Sequence, residues 1–142
     1  MKNRQNVTLP LAHRSGKDMI DLVLSPFPKL ISPQAHALFD ALAFPVMLPI
    51  VRHLAKRSPR AALIMSLNVG VEGGVSFFTN YPPAVVPLIS FQNHIRTGIV
   101  FAPLSMGLAL LVPGIPKRER VLLTLAPLIP FLLNSLSKPA TK

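Results

Sequence analysis

Two histidines stand 58 residues apart in the same local setting: Ile31-Ser32-Pro33-Gln34-Ala35-His36 and Ile89-Ser90-Phe91-Gln92-Asn93-His94. Asp40 follows His36 by four residues, and Glu72 follows Asn68 by four, so each pair shares one face of a helix. Arg96 follows shortly after His94. Imidazoles and carboxylates can hold or pass a proton near neutral pH, and a guanidinium can balance a carboxylate where water is scarce. A pair of imidazoles can also ligate a metal or haem. Two histidines without carboxylate or thiolate partners at ligand spacing are weak evidence for that, so no metal and no cofactor are expected. The chain has no Cys, which removes thiolate chemistry and disulfides. It shows no Gly-rich phosphate loop, nucleophile elbow or paired zinc motif, and no nucleophile–base arrangement. An enzyme is therefore not expected.

The elements that would position these residues are apolar. Half of the 142 residues are hydrophobic (50%) and only 14% are charged, too few to coat a soluble domain. The apolar residues come in long blocks, which points to lipid as the solvent. The formal net charge of +10 lies in tails and between the blocks: Lys2, Arg4, Arg14 and Lys17, then Arg52 to Arg60, then Lys117 to Arg120. Nucleic-acid binders gather charge on a continuous face. Charge flanking apolar blocks is the layout of membrane spans beside anionic headgroups, so the bilayer is the expected partner and nucleic acid is not.

Residues 1–30 read as a basic tail carrying a short interfacial helix over 18–24, too short to cross a bilayer. One transmembrane domain follows over 31–138, with spans at about 35–54, 60–79, 92–112 and 120–136, near the length a crossing helix needs. Pro45, Pro49, Pro103, Pro127 and Pro130 predict kinks. Asn80-Tyr81-Pro82-Pro83 predicts a tight exit turn with Tyr81 at the headgroups. The two basic loops, 1–2 and 3–4, face the cytoplasm by the positive-inside rule, against the pull of the N-terminal tail and of Lys138 and Lys142.

The offset of 58 that relates the two histidines also takes Pro45 to Pro103 and Arg60 to Arg118. It divides the domain into two tandem two-helix repeats, 31–88 and 89–138, in parallel about an axis along the membrane normal. The fold class is thus all-α: an integral membrane four-helix bundle of two repeats.

Asp40, Glu72 and Arg96 fall within spans, where an unpaired charge costs about 2.5–3.5 kcal/mol on insertion scales. Helix rise puts Asp40 about 7 Å and Arg96 about 6 Å inside their spans, with Glu72 about 10 Å from the same face. Asp40 corresponds to Gly98 and Arg96 to Leu38. Asp40 is therefore expected to pair with Arg96 across the seam, with Glu72 close by and His36 and His94 capping the cluster. Such a cluster can simply fix helix register, or it can serve a substrate or proton. On span 2, Gly70-x-x-x-Gly74, with Gly73 and Ser76, predicts close helix packing within the bundle, or dimerisation.

The start Ile-Ser-x-x-x-His, recurring in a second half after Thr79-Asn80-Tyr81-Pro82, resembles small bacterial four-helix membrane proteins of the SPW-repeat type over about residues 31–136. The chain lacks the Trp of that signature. The aspartate those proteins tend to carry four residues after the His is kept as Asp40 and is Gly98 in the second copy. The resemblance implies a duplicated two-helix bundle in a bacterial inner membrane and no established activity. The expected protein is a non-enzymatic multi-pass membrane protein whose polar cluster fixes the bundle, acting through a membrane-protein partner or as a homo-oligomer. The alternative is a proton or small-solute transporter using Asp40, Glu72 and Arg96.

Overall fold

Three of the long helices begin at a serine that accepts from one of their first free amides. Ser32 and Ser90 accept from Ala35 N and Asn93 N, both at 3.2 Å, and Ser58 accepts from Ala61 N at 3.3 Å. Pro33 and Pro59 occupy first-turn positions, where the missing amide costs nothing. The computed structural model describes residues 15–81 and 86–139. The basic tail over 1–14, the Pro82-Pro83 turn and Lys142 lie outside the described residues.

The helices are α1 (Gly16–Leu24), α2 (Pro33–Ala55), α3 (Pro59–Phe78), α4 (Phe91–Leu111), α5 (Lys117–Leu125) and α6 (Leu128–Leu136). α2, α3, α4 and the α5–α6 stretch Lys117–Leu136 are each long and apolar enough to cross a membrane. α2 and α4 run through Pro45, Pro49 and Pro103 without a break. The fourth span does break, between Leu125 and Leu128, where Pro127 and Pro130 both lack the amide that would continue the helix.

α2 packs on α3, α4 on α6 and α5, and α3 joins the two pairs through α4. Large side chains such as Leu42, Leu63, Leu104 and Leu111 point outward and are exposed. Apolar surface on this scale, all around four crossing-length helices, belongs in lipid, and the chain is a multi-pass membrane protein.

The interior has two apolar centres. Leu54, Ile64, Met65, Val69 and Leu123 form one beside the basic loops. Leu24, Ala37, Tyr81, Phe91, Ile95 and Ile99 form the other, at the opposite end. At the basic end the arginines do more than flank spans. Arg120 donates to the carbonyls of Ala109 (2.8 Å), Leu110 (2.6 Å), Val112 (3.2 Å) and Ile115 (3.3 Å), capping the open end of α4. Arg57 bonds the buried Glu119 at 2.7 Å, tying the α2–α3 loop to α5.

The buried stripe of α3 passes through Met65, Val69 and Gly73, and this relocates the expected glycine contact. A Cβ on Gly70 or Gly74 would meet nothing within 4 Å, whereas one on Gly73 would run into the Phe44 ring. Gly73 is where α2 and α3 approach closely; Gly70 and Gly74 lie off the stripe.

Candidate functional site

Capping sets the positions of the site residues. With Ser32 and Ser90 as N-caps, His36 and His94 each bond back to their cap, His36 N to Ser32 O and His94 N to Ser90 O, both at 3.0 Å. Both rings are enclosed, His36 at 0% and His94 at 1% exposure. Asp40 lies one further turn along α2.

The ring nitrogens nearer the backbone meet hydroxyls. His36 Nδ1 lies 2.6 Å from Ser137 Oγ, and His94 Nδ1 lies 3.0 Å from Thr79 Oγ1. Each hydroxyl has one hydrogen, and each donates it to a carbonyl one turn earlier: Ser137 to Leu133 O at 2.7 Å, Thr79 to Val75 O at 2.6 Å. Each hydroxyl must then accept from the imidazole, which places a proton on both Nδ1 atoms. Both Nε2 atoms of the neutral rings are left as bare acceptors, and they face each other at 3.1 Å. Asp40 Oδ2 lies 3.4 Å from each of them. Tyr81 donates its hydroxyl to the same Oδ2 at 2.6 Å, and Ser76 Oγ lies 3.0 Å from it.

Aromatic rings close the site. Phe91 stacks on His94 with centroids 6.1 Å apart and meets His36 edge-on at 5.1 Å. Tyr81 was expected at the headgroups, yet it is 7% exposed and packs on Phe91. Its hydroxyl points at Asp40 instead of water. Burial, followed by donation to the Asp40 carboxylate, raises its pKa above the ordinary phenol range.

These contacts recur along the chain. Adding 58 to Val75, Thr79 and His36 gives Leu133, Ser137 and His94, so each hydroxyl bond has a counterpart. Thr79 and Ile89 form a parallel bridge, as do Ile31 and Ser137. Asn80 N bonds Ile89 O at 2.8 Å, and Lys138 N bonds Ile31 O at 2.8 Å. His36 Nε2 and His94 Nε2 meet where the two sets join.

Arg96 goes elsewhere, and this corrects the expected Asp40–Arg96 pair. Its guanidinium bonds Asp21 on α1, Nη2 to Oδ2 at 2.8 Å and Nε to Oδ1 at 3.4 Å. Depth in the span matched Asp40, but helix phase did not. Arg96 lies two residues beyond His94, about 200° around the helix, and so faces away from the seam. Asp21 is 48% exposed, so the pair contributes at most about 1 kcal/mol. Arg96→Gln is expected to lower stability by no more than that, and Arg96→Gln with Asp40→Asn should be additive in detergent thermal melts. A coupling energy above about 1 kcal/mol would return Arg96 to the cluster.

Glu72 stands beside the cluster, in a cleft of about 110 Å³ lined by Asp40, Asn68, Glu72 and Ser76 among apolar side chains. Among the described residues, Glu72 Oε1 and Asn68 Nδ2 are buried there without a hydrogen-bond partner.

Gly98 occupies the position that Asp40 holds in the first half, and Asn134 the position of Ser76. A Cβ at 98 would collide with the Asn134 amide. The second half thus exchanges an acid and a small hydroxyl for a glycine and a larger amide in the same volume.

The residues that sequence reasoning missed are Thr79, Ser137 and Asp21. The offset of 58 already aligned Thr79 with Ser137 and could have marked the hydroxyls. Nothing in the sequence signalled Asp21. The chain matches no protein-family model, no curated protein and no solved structure.

Proposed function

We propose that this is a non-enzymatic multi-pass protein of a bacterial inner membrane, akin to the SPW-repeat type, built from two tandem two-helix units, 31–88 and 89–138. α1 lies at the interface of the bilayer, and the His36–Asp40–His94 cluster fixes how the units pair. The recurrence of the hydroxyl–imidazole bonds at one constant offset, meeting at the two Nε2 atoms, carries this reading. In lipid, apolar contact gives helices little preference for one partner over another, so close packing and buried polar contacts must supply it. A cluster with one imidazole from each unit can form only when the units meet in register.

The test is a cycle on His36→Leu and His94→Leu, scoring folded monomer recovered in mild detergent. Each single change leaves the other ring buried with no imidazole across the seam to share a proton or ion, and should lower recovery several-fold. The double change replaces both by apolar groups and should regain part of that loss. A second reading, proton or solute movement past Asp40 and Glu72, draws on the cleft and its unpartnered Glu72 and Asn68 atoms. That reading replaces the first if all three variants fold like the parent while flux in proteoliposomes is lost in each.

A further inference from the structure

Three lone-pair-bearing atoms converge at one buried point. Both Nδ1 atoms are committed as donors to Thr79 and Ser137, so the two Nε2 atoms are bare, and the third atom belongs to a carboxylate. Something positive must sit among them. A proton is a poor match. The edges of the triangle are 3.1, 3.4 and 3.4 Å, so a proton on any corner would either reach one neighbour and leave the other or lie about 30° off the line to each. A central ion serves all three. Four-coordinate zinc with bonds of about 2.0–2.1 Å has ligand–ligand edges of roughly 3.3–3.4 Å, close to those observed.

We infer that His36 Nε2, His94 Nε2 and Asp40 Oδ2 form a binding site for one divalent first-row transition metal ion, with zinc the best geometric match. The surroundings are those of a metal site. Each imidazole donates its one N–H, on Nδ1, to a hydroxyl that is itself held by a backbone carbonyl, which fixes tautomer and ring orientation. The carboxylate is steadied by the Tyr81 hydroxyl. Phe91 and Tyr81 enclose the rings, while Asp40, 15% exposed, also lines the grooves beside α2 and α3. Along the chain Asp40 stands one helical turn from His36 alone; the fold brings its carboxylate to both histidines. An ion here would fasten the seam proposed above, so its role rests on that reading, while its binding rests on the ligand geometry.

The experiment uses the full chain, purified in detergent without an oligohistidine tag, analysed for bound metal, then stripped with EDTA and titrated with Zn²⁺ and Co²⁺. About one ion per chain is expected, with the visible ligand-field bands of low-coordinate cobalt(II) and a higher melting temperature when metal is restored. His94→Gln should weaken binding by more than about 100-fold. Ser137→Ala, which touches no ion, should weaken it about 10- to 100-fold. Asp40→Asn keeps the shape of the side chain and should fold yet lose the metal. The inference is overturned if the folded parent takes up no stoichiometric metal, or if His94→Gln binds it equally well; a shared proton then holds the cluster. Absence of metal with strong coupling in the histidine cycle would leave the seam reading standing alone. Bound metal without that coupling would sink the seam reading and keep the site.

Discussion

Asp40→Ala should be the most damaging single substitution in the chain, lowering stability by about 3–5 kcal/mol, as expected when one member of a buried charged network is removed. The carboxylate oxygen accepts from Tyr81 at 2.6 Å and lies 3.4 Å from both imidazoles. Its loss leaves a buried phenol hydroxyl without an acceptor and removes the negative charge that balances a positive ion or proton held between the two Nε2 atoms. Asp40→Asn should be much milder, within about 1–2 kcal/mol, because an amide nitrogen in the place of Oδ2 can donate one N–H to an imidazole and the other to the Tyr81 oxygen. Thermal melts of both variants in one detergent measure the contrast. Equal losses would mean that the volume of the side chain matters and its hydrogen bonding does not.

Gly98→Asp should fail to give folded protein on its own, and should regain a substantial part of it when combined with Asn134→Ser. The single change drives a side chain into the Asn134 amide, which is 1% exposed and bonded to Pro130 O at 2.8 Å. Overfilling a packed site costs about 1–3 kcal/mol, and burying a second carboxylate adds to that. Asn134→Ser restores the volume relation found between Asp40 and Ser76, and would set the new acid beside the same two imidazoles. Recovery of folded chain, scored by size exclusion, separates the outcomes. If Asn134→Ser brings no improvement, the two halves do not share one local geometry at this point.

Much of the scaffold was legible in the sequence because lipid imposes long apolar runs whose ends are marked by Ser, Pro and basic residues. The expected spans at 35–54, 60–79 and 92–112 fall within two residues of α2, α3 and α4 at either end. The break in the fourth span was harder to read, since prolines are carried without a break in α2 and α4 but end α5 near Pro127. His36, Asp40 and His94 were legible through the offset and the one-turn spacing. Arg96 shares the depth of Asp40 in its span but not the angle around the helix, and both together place a side chain at the seam. Thr79 and Ser137 escaped notice because small hydroxyls at helix ends are common, and only their carbonyl and imidazole partners give them meaning. Gly70 and Gly74 formed the more familiar spacing, yet the neighbouring Gly73 meets Phe44.

The two halves of the histidine cluster differ in when they can be made. Thr79 and His94 are 15 residues apart, so that half can close soon after the start of α4 leaves the ribosome. His36 and Ser137 are 101 residues apart, and Ile31 bridges the same late segment. The first histidine thus enters the membrane early and waits for the 101 residues that separate it from its hydroxyl partner. A chain truncated before Ser137 keeps one finished half and one raw half, with a polar ring left unsatisfied in lipid. The segment that follows α6 is thereby bound into the site that the start of α2 opens.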